Sequence, residues 1–243
     1  MLDDWRQSIP TLTGEQMLEV DRSLLSDFGI ERLQVMEIAG RQLARLTRDR
    51  FLGGDVRGKP VSVLAGAGGN GGGALVAARC LSSWGAVVEI VLMRSDDAYG
   101  DVQARQLAIV RKMGLGIRNA EEESPDDATD VIIDGMVGYG LRGRLKRALA
   151  ESIRWATAQP APVLSLDVPT GMDATTGERP GPAIKASATM TLALPKTGLA
   201  VPGAEEFTGH LYLADIGVPS AVYRRLGISV GPIFSGSDLL RLS

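Results

Sequence analysis

The chain has 243 residues, 44% of them hydrophobic and 23% charged, which is typical of a globular protein with one large buried core. A net charge of −3 provides no broad basic surface, so we expect neither a nucleic acid nor an anionic membrane as a partner. The single cysteine, Cys80, excludes an internal disulfide framework, and the single histidine, His210, argues against histidine-based metal or triad chemistry. With no apolar run of the ~18 residues that a membrane span needs, and no signal peptide in MLDDWRQS, we expect a cytoplasmic location.

Two amphipathic helices are predicted first along the chain. Thr13 can cap the first helix, because Gln16 stands three residues later and can bond back to the cap. The apolar stripe of this helix ends at Gly29, a typical residue after a helix C-terminus. The second helix is predicted over residues 32–51. Its apolar face consists of Leu33, Met36, Ala39, Leu43 and Leu46.

From residue 60 onward, short apolar runs alternate with helical patterns. Strands are predicted at 61–66, 87–93, 130–135, 162–169, 188–195 and 210–217. Helices are predicted at 74–84, at 101–113 and in the second half of 138–156. Nearly continuous apolar strands separated by helices are typical of a parallel sheet covered on both faces. The predicted fold class is therefore α/β: a doubly wound, mainly parallel sheet with helices on both faces, Rossmann-like, with the two N-terminal helices added.

Glycine or polar residues follow four of the predicted strands, at the end where open α/β sheets place their ligands. GAGGNGGGAL (66–75) follows the first strand, and Asp134 lies at the end of the third. Asp167 and Thr170 lie at the end of the fourth strand, and Lys196 follows the fifth. We expect these residues to meet at one crevice.

The stretch GAGGNGGGAL has more than one interpretation. A flexible linker would be rich in glycine, but a connection between a strand and a helix is usually short and ordered. Gly66, Gly68 and Gly71 match the G-x-G-x-x-G pattern of a dehydrogenase. The acidic residue that this pattern requires is poorly placed, because Glu89 falls inside the next strand, which ends at Arg94. No Lys-Ser/Thr pair follows the glycines, which excludes a Walker A loop. Backbone N–H groups at the following helix N-terminus favour a phosphate-bearing ligand.

Six segments resemble, in the same order along the chain, the motifs of the NAD(P)HX epimerase family, also called the YjeF N-terminal domain family. LQVMEIAGRQLA (33–44) is similar to its L-M-E-N-A-G-R segment, and GAGGNGGGALVAARCL (66–81) to G-x-G-N-N-G-G-D-G-L-V-A-A-R-x-L. VIIDGMVGYGLRG (131–143) resembles V-D-A-L-F-G-T-G-L, and LSLDVPTGMDATTG (164–177) resembles D-I-P-S-G-L-D-A-D-T-G. ATMTLALPKTGL (188–199) resembles T-V-T-F-x-x-P-K-x-G-L, and YLADIGVP (212–219) the closing strand. The likeness spans residues 13–219.

This resemblance implies a function. Members of the family interconvert the R and S forms of the hydrated nicotinamide nucleotides NADHX and NADPHX, and a partner NAD(P)HX dehydratase then repairs the S form. The resemblance therefore implies epimerase activity on these or related nucleotides, with a potassium ion in the site. It also implies a homodimer contact through the two N-terminal helices.

The same resemblance assigns site residues. The potassium ligands that it implies are Asn70, Asp134 and Thr170, where Thr170 stands in place of the usual Ser. An oxygen-only set of this kind suits a hard cation. The implied substrate-binding residues are Gly69, Asn70, Gly71, Gly72, Gly73, Gly138, Tyr139, Gly140, Leu141, Arg142, Gly143, Arg144 and Asp167.

Acid–base chemistry at the hydrated carbon needs a proton donor and a proton acceptor. We predict Asp134 and Lys196 as the catalytic pair. A lysine beside a carboxylate in a closed crevice can be tuned for this work.

Three positions depart from the family pattern. Gly69 replaces an Asn, Gly73 replaces an Asp, and Ile38 replaces an Asn. Each lost polar group removes hydrogen bonds worth about 1–3 kcal/mol when buried. The alternative hypothesis is therefore a catalytically silent nucleotide-binding or protein-interaction module on the same fold.

The predicted domain organisation is simple, because no internal repeat is visible. We predict a YjeF N-terminal-type, Rossmann-like domain over residues 1–220 and a tail over 221–243. GPIFSGSDLLRLS (231–243) faintly resembles the junction that joins this domain to a dehydratase in bifunctional relatives.

Overall fold

The structure is a computed structural model that describes residues 5–122, 128–141, 143 and 145–243. The helices in these ranges are α1 (Trp5–Ser8), α2 (Gly14–Phe28), α3 (Arg32–Leu46), α4 (Gly69–Ser83), α5 (Asp101–Lys112), α6 (Arg147–Ala158), α7 (Glu205–Thr208) and α8 (Ser220–Arg225). The strands are β1 (Pro60–Ala65), β2 (Val87–Leu92), β3 (Gly116–Asn119), β4 (Val131–Gly135), β5 (Val163–Leu166), β6 (Ala188–Leu192), β7 (His210–Ala214) and β8 (Leu239–Arg241). No helix in the described ranges is long and apolar enough to cross a membrane.

These strands form one sheet in the order β3-β2-β1-β4-β5-β6-β7-β8. Neighbouring strands are parallel, except that β8 runs antiparallel to β7. The chain moves outward from β1 to β3 and then returns to place β4 on the other side of β1. Open α/β sheets bind ligands at such a reversal, outside the carboxyl ends of the strands.

Both faces of the sheet are covered, as the apolar strand sequences require. Val61 and Val63 of β1 belong to the core that α3, α4 and α5 complete. Leu64 faces the other side, where it shares a core with Ile153 of α6. A further cluster joins α1, α2, β7 and α8. The predicted doubly wound α/β class is confirmed.

The two predicted N-terminal helices are present as α2 and α3. The Thr13 hydroxyl accepts a hydrogen bond from the Gln16 N–H at 3.1 Å, and the Gln16 side chain accepts one from the Thr13 N–H at 2.8 Å. Gly29 follows α2 with a φ of 67°, the left-handed conformation that glycine adopts without strain. The predicted helix 32–51 divides into α3 and a π-helical turn, Thr47–Phe51.

The structure differs from the sequence prediction at particular elements. α4 begins at Gly69 rather than at residue 74, so most of the glycine stretch is the first part of a helix. The predicted strand 162–169 ends at Leu166, because the next residue has a positive φ of 70°. β3 and β8 were not predicted, because each is a short, partly exposed edge strand with little apolar periodicity.

The chain beyond residue 220 packs on the preceding residues. Tyr223 of α8 is buried in the same cluster as α2. β8 extends the sheet beside β7, where Leu240 pairs with Leu213, and Leu242 is buried. The last strand of the sheet is therefore contributed by the segment 221–243.

Close packing explains the glycines at two positions around the start of α4. A Cβ added to Gly71 would overlap the carbonyl oxygen of Gly66, and a Cβ added to Gly66 would overlap the carbonyl oxygen of Met136. Both obstacles are backbone atoms, which cannot swing aside. Gly68 and Gly69 differ, because a Cβ at either would meet no atom within 4 Å. Part of the G-x-G-x-x-G match therefore has its cause in internal packing, which removes much of the support for a dehydrogenase.

Substitution of Gly71 should therefore destabilise the fold, whereas substitution of Gly69 should have little effect. We expect Gly71→Ala to lower the free energy of unfolding by about 3 kcal/mol, because the new methyl group meets backbone. Gly69→Ala is the matched control and should change it by less than about 0.5 kcal/mol. Urea unfolding followed by circular dichroism measures both values. Equal values for the two variants would contradict the packing explanation.

Candidate active site

A cavity of about 1550 Å³ opens at the carboxyl ends of β1, β2 and β4, where the strand order reverses. It is lined by the start of α4, by the turn 138–141 after β4, and by Asp167 after β5. Apolar side chains of α2, among them Met17 and Leu24, line another side. A volume above the ~300–1,000 Å³ that is usual for drug-sized ligands gives room for a ligand of dinucleotide size.

Asp167 is one of the carboxylates that line this cavity, and it lies at the carboxyl end of β5. Its φ of 70° is unusual for a residue other than glycine, although Asp and Asn tolerate it better than most. Its Oδ2 accepts a hydrogen bond from the Tyr139 N–H at 3.2 Å, and its Oδ1 lies 3.4 Å from the Thr191 hydroxyl. Backbone strain of this kind concentrates at functional sites, so the conformation is an independent pointer to Asp167.

Lys196 lies behind Asp167 and is fully buried. Its Nζ forms an ion pair with Asp167 Oδ1 and donates hydrogen bonds to the carbonyl oxygens of Leu192 (2.8 Å) and Leu194 (3.3 Å). Its backbone is joined to Leu12, because Leu12 N–H donates to Pro195 and Leu12 C=O accepts from Thr197, each at 2.9 Å. The segment before α2 therefore fixes the backbone of Lys196.

The predicted pairing of Asp134 with Lys196 is not what the structure contains. Asp134 is buried and accepts hydrogen bonds from the Ser165 hydroxyl (2.8 Å), the Thr170 N–H (2.9 Å) and hydroxyl (2.6 Å), and the Met136 N–H (3.2 Å). The strand order explains the difference. β6, which precedes Lys196, lies beside β5 and not beside β4. Lys196 therefore meets the carboxylate after β5, which is Asp167.

Asp134 instead belongs to a cluster of oxygen atoms. The Thr170 hydroxyl contacts Asp134, and it also lies within hydrogen-bonding distance of the backbone of Val137. Asn70 donates to the Leu166 carbonyl at 2.6 Å, and its amide packs against Gly138 of the same turn. The three predicted potassium ligands therefore lie around one turn.

The Asp134 carboxyl group is buried without a basic partner among the described residues. Burial raises the pKa of Asp134, and its hydrogen bonds lower it by less. Within the described residues, no lysine or arginine forms an ion pair with this carboxylate. The same residues contain no group of three His, Cys, Asp or Glu side chains that could hold a metal ion. Amide, hydroxyl, carboxylate and carbonyl oxygens are the ligands that hard cations prefer.

The predicted substrate-binding residues divide into two groups. Those that line the cavity are Gly69, Asn70, Gly73, Gly138, Tyr139, Gly140, Leu141 and Asp167. Gly71, Gly72 and Gly143 do not line it, and the packing of Gly71 against Gly66 explains its position. Arg142 and Arg144 lie outside the described residues.

The start of α4 presents open backbone to the cavity. Gly68 is the N-cap, and the first N–H groups of a helix have no partner within the helix. The absence of any atom near a Cβ added to Gly68 or Gly69 leaves this end open to the cavity. A helix N-terminus with open, side-chain-free backbone favours a phosphate group.

Sequence reasoning missed the contribution of α2 to the site. Asp21 lines the cavity, and the Tyr139 hydroxyl donates a hydrogen bond to its carboxylate. Arg32 of α3 also lines the cavity. The sequence does hold one indication of this contribution: Asp21 is an acidic residue between Met17 and Leu24, on a helix whose apolar face is buried.

Comparison with known proteins identifies the family. Residues 32–198 match the model of the family described as YjeF-related protein N-terminus. The NAD(P)H-hydrate epimerase of Dehalogenimonas lykanthroporepellens is 41% identical over 223 residues, which are 91% of this chain and 88% of that protein. The NAD(P)H-hydrate epimerase of Rhodopirellula baltica is 33% identical over 90% of this chain and 89% of its own length.

Two further comparisons concern a longer relative and a solved structure. The bifunctional NAD(P)H-hydrate repair enzyme Nnr of Salinibacter ruber is 32% identical over 94% of this chain, which spans only 44% of that protein. The crystal structure of yeast ynu0 has the same fold, with a TM-score of 0.81 and 23% identity over 96% of this chain and 100% of the yeast chain. The sheet order, the site at its reversal and these matches agree: the chain belongs to the YjeF-related protein N-terminus family.

Proposed function

We propose that this chain interconverts the R and S forms of NADHX and NADPHX, the hydrated forms of NADH and NADPH. The observation that carries the proposal is the buried Asp167–Lys196 ion pair on a cavity of dinucleotide size. Relatives named NAD(P)H-hydrate epimerase, at 33–41% identity over most of the chain, support the same reaction.

Two ends of the cavity bind different parts of the substrate. The open N-terminus of α4 at Gly68 and Gly69 binds the diphosphate, because its N–H groups and helix dipole favour negative charge. The hydrated ring then lies toward Asp167 and the turn 138–141, with the apolar side chains of α2 against it. These side chains exclude water from the ring.

Epimerisation requires the hydroxyl on the ring carbon to leave one face and return on the other, either through ring opening or through loss and return of water. Both routes require one group that takes a proton and gives it back. Asp167 is in place for this role, since it lines the cavity beside the turn 138–141 and is paired with the buried Lys196. Lys196 holds that carboxylate in position and supplies the positive charge that balances it.

We also propose a potassium ion at the oxygen cluster of Asn70, Asp134 and Thr170. The buried Asp134 carboxylate, with hydrogen bonds but no basic partner in the described chain, supports a bound cation. The ion would supply a positive charge that balances Asp134 and stabilises the turn at Val137 and Gly138.

The intact ion pair argues against the catalytically silent alternative. Gly69 lacks the amide side chain of the family's Asn. A Cβ added there would meet no atom within 4 Å, so the backbone of Gly69 is open to a ligand. At Gly73, an added Cβ would lie 3.0 Å from Leu166 Cδ2. Neither change touches Asp167 or Lys196.

The partners and the location follow from the same assignment. The bifunctional relatives support a dehydratase as the functional partner that uses the S form. Exposed apolar side chains on α2 and α3, Leu18 (49% exposed) and Ile38 (40%), support a homodimer contact. The single cysteine, Cys80, is free and buried, which suits the cytoplasm.

The Asp167 carboxylate should be necessary for turnover. Because its removal also leaves the buried Lys196 ammonium without its counter-charge, circular dichroism must show that the variant is folded under the assay conditions. We expect Asp167→Asn to slow epimerisation by at least about 100-fold, because it removes the proton acceptor while Asn still tolerates the positive φ. The measurement is equilibration of a purified epimer, followed by chromatography. Lys112→Met, a surface lysine at the end of α5, is the control and should keep full activity. Activity of Asp167→Asn within a factor of three of the wild-type protein would contradict the assignment.

Potassium should stabilise the protein through Asp134. We expect potassium, compared with choline at equal ionic strength, to raise the Tm by at least about 3 °C and to accelerate epimerisation. Asp134→Asn should lose both responses. Thr170→Ser keeps the ligand oxygen and should retain them. A wild-type Tm that does not distinguish potassium from choline would exclude the site.

A further inference from the structure

Tyr139 is held at both of its ends. Its hydroxyl donates a hydrogen bond to Asp21 Oδ2 of α2. Its backbone N–H donates to Asp167 Oδ2 at 3.2 Å. One residue therefore connects helix α2 to the Asp167 carboxylate.

Tyr139 departs from the family motif that residues 131–143 resemble. In the family pattern D-A-L-F-G-T-G-L, a Thr stands where the chain has Tyr139. A threonine hydroxyl lies close to its own backbone, whereas the tyrosine hydroxyl lies beyond a whole ring. Asp21 itself falls outside the residues, 32–198, that match the family model.

The surroundings of Asp21 disfavour a charged carboxylate. It lies half-buried on α2 between the buried Met17 and Leu24. Burial raises the pKa of Asp21, and the hydrogen bond from Tyr139 is the largest influence in the other direction. The charged groups that act on it are Lys196 and Arg32, which are attractive, and Asp167, which is repulsive. The charge of Asp21 therefore interacts with both members of the Asp167–Lys196 ion pair.

The same N-terminal segment also holds Lys196. Leu12 is hydrogen-bonded on both sides of Lys196, to Pro195 and Thr197. α2 then begins two residues later, at Gly14, with Thr13 as its cap. The segment 12–21 therefore contacts both sides of the site: Lys196 through backbone and Tyr139 through Asp21.

We propose that Asp21 is a positioning residue of the site, which acts through Tyr139 to hold the turn 138–141 against the Asp167 carboxylate. The inference rests on the proposed epimerase function. The turn carries the N–H that bonds Asp167 Oδ2, so release of the Tyr139 hydroxyl loosens the support of that oxygen, while Lys196 still holds Oδ1. The substrate's diphosphate is bound elsewhere, at α4, and its affinity depends little on this contact.

The test is a double-mutant cycle on kcat and KM for epimerisation. Asp21→Ala and Tyr139→Phe should each lower kcat about tenfold, as expected for a displaced reacting group, with KM changed less than about threefold. The double variant should be no slower than either single variant, because both remove the same contact. Asp21→Asn should return kcat to within about twofold of the wild-type value, since its amide oxygen still accepts from Tyr139.

Matched controls separate positioning from general damage. Glu15→Ala changes an exposed acidic residue of the same helix, and Tyr223→Phe removes the hydroxyl of a buried tyrosine that does not line the cavity. Both should leave kcat unchanged. Thermal unfolding of all variants, without substrate, measures whether Asp21 and Tyr139 are coupled in the folded protein.

Each outcome decides a different point. Losses in kcat that multiply in the double variant, or coupling in thermal unfolding with unchanged kcat, would overturn the positioning role. Failure of Asp21→Asn to restore kcat would overturn the hydrogen bond as its cause. If the wild-type protein leaves a purified epimer unchanged, the proposed function is wrong and the positioning role is wrong with it. If the wild-type protein is active and the variants do not behave as expected, only the positioning role is wrong.

Discussion

The buried ion pair between Asp167 and Lys196 is the constraint on which the rest of the site depends. Removal of two charges from water costs several kcal/mol per ion, and only close contact with further hydrogen bonds offsets it. The fold provides those bonds, because Lys196 donates to two carbonyl oxygens and Asp167 accepts from the Tyr139 N–H. It also holds Asp167 in a left-handed backbone conformation. Such an arrangement at the edge of a cavity is explained by chemistry there, because an apolar pair would serve stability equally well.

The order of the strands separates two carboxylates into two environments. Asp134 ends β4 and Asp167 follows β5, its neighbour in the sheet. Asp134 is surrounded by hydroxyl and backbone groups, and burial raises its pKa. Asp167 has a lysine, because β6 lies on its side of the sheet. Two similar side chains at the ends of neighbouring strands therefore lie in different surroundings, and this difference supports the separate roles that we propose for them.

Sequence reasoning predicted what local patterns encode. The capping box of α2 and the apolar strands are encoded in short segments, and both were predicted. The resemblance to the family located the cavity residues around Asn70 and Gly138, but the start of α4 at Gly69 was not predicted. It could not assign the partner of Lys196, since that depends on the order of β4, β5 and β6. It also could not separate Gly71, which packs on backbone, from Gly69, which faces open space. The contact of Tyr139 with Asp21 joins positions far apart in the chain, and no local pattern encodes it.

The most direct test of the reaction centre is a crystal structure of the protein with a nicotinamide nucleotide bound. The account predicts the diphosphate at the N–H groups of Gly68 and Gly69, and the nicotinamide ring within hydrogen-bonding reach of the Asp167 carboxylate. A nucleotide bound in the cavity with its ring turned away from Asp167, or bound at another surface, would contradict the account.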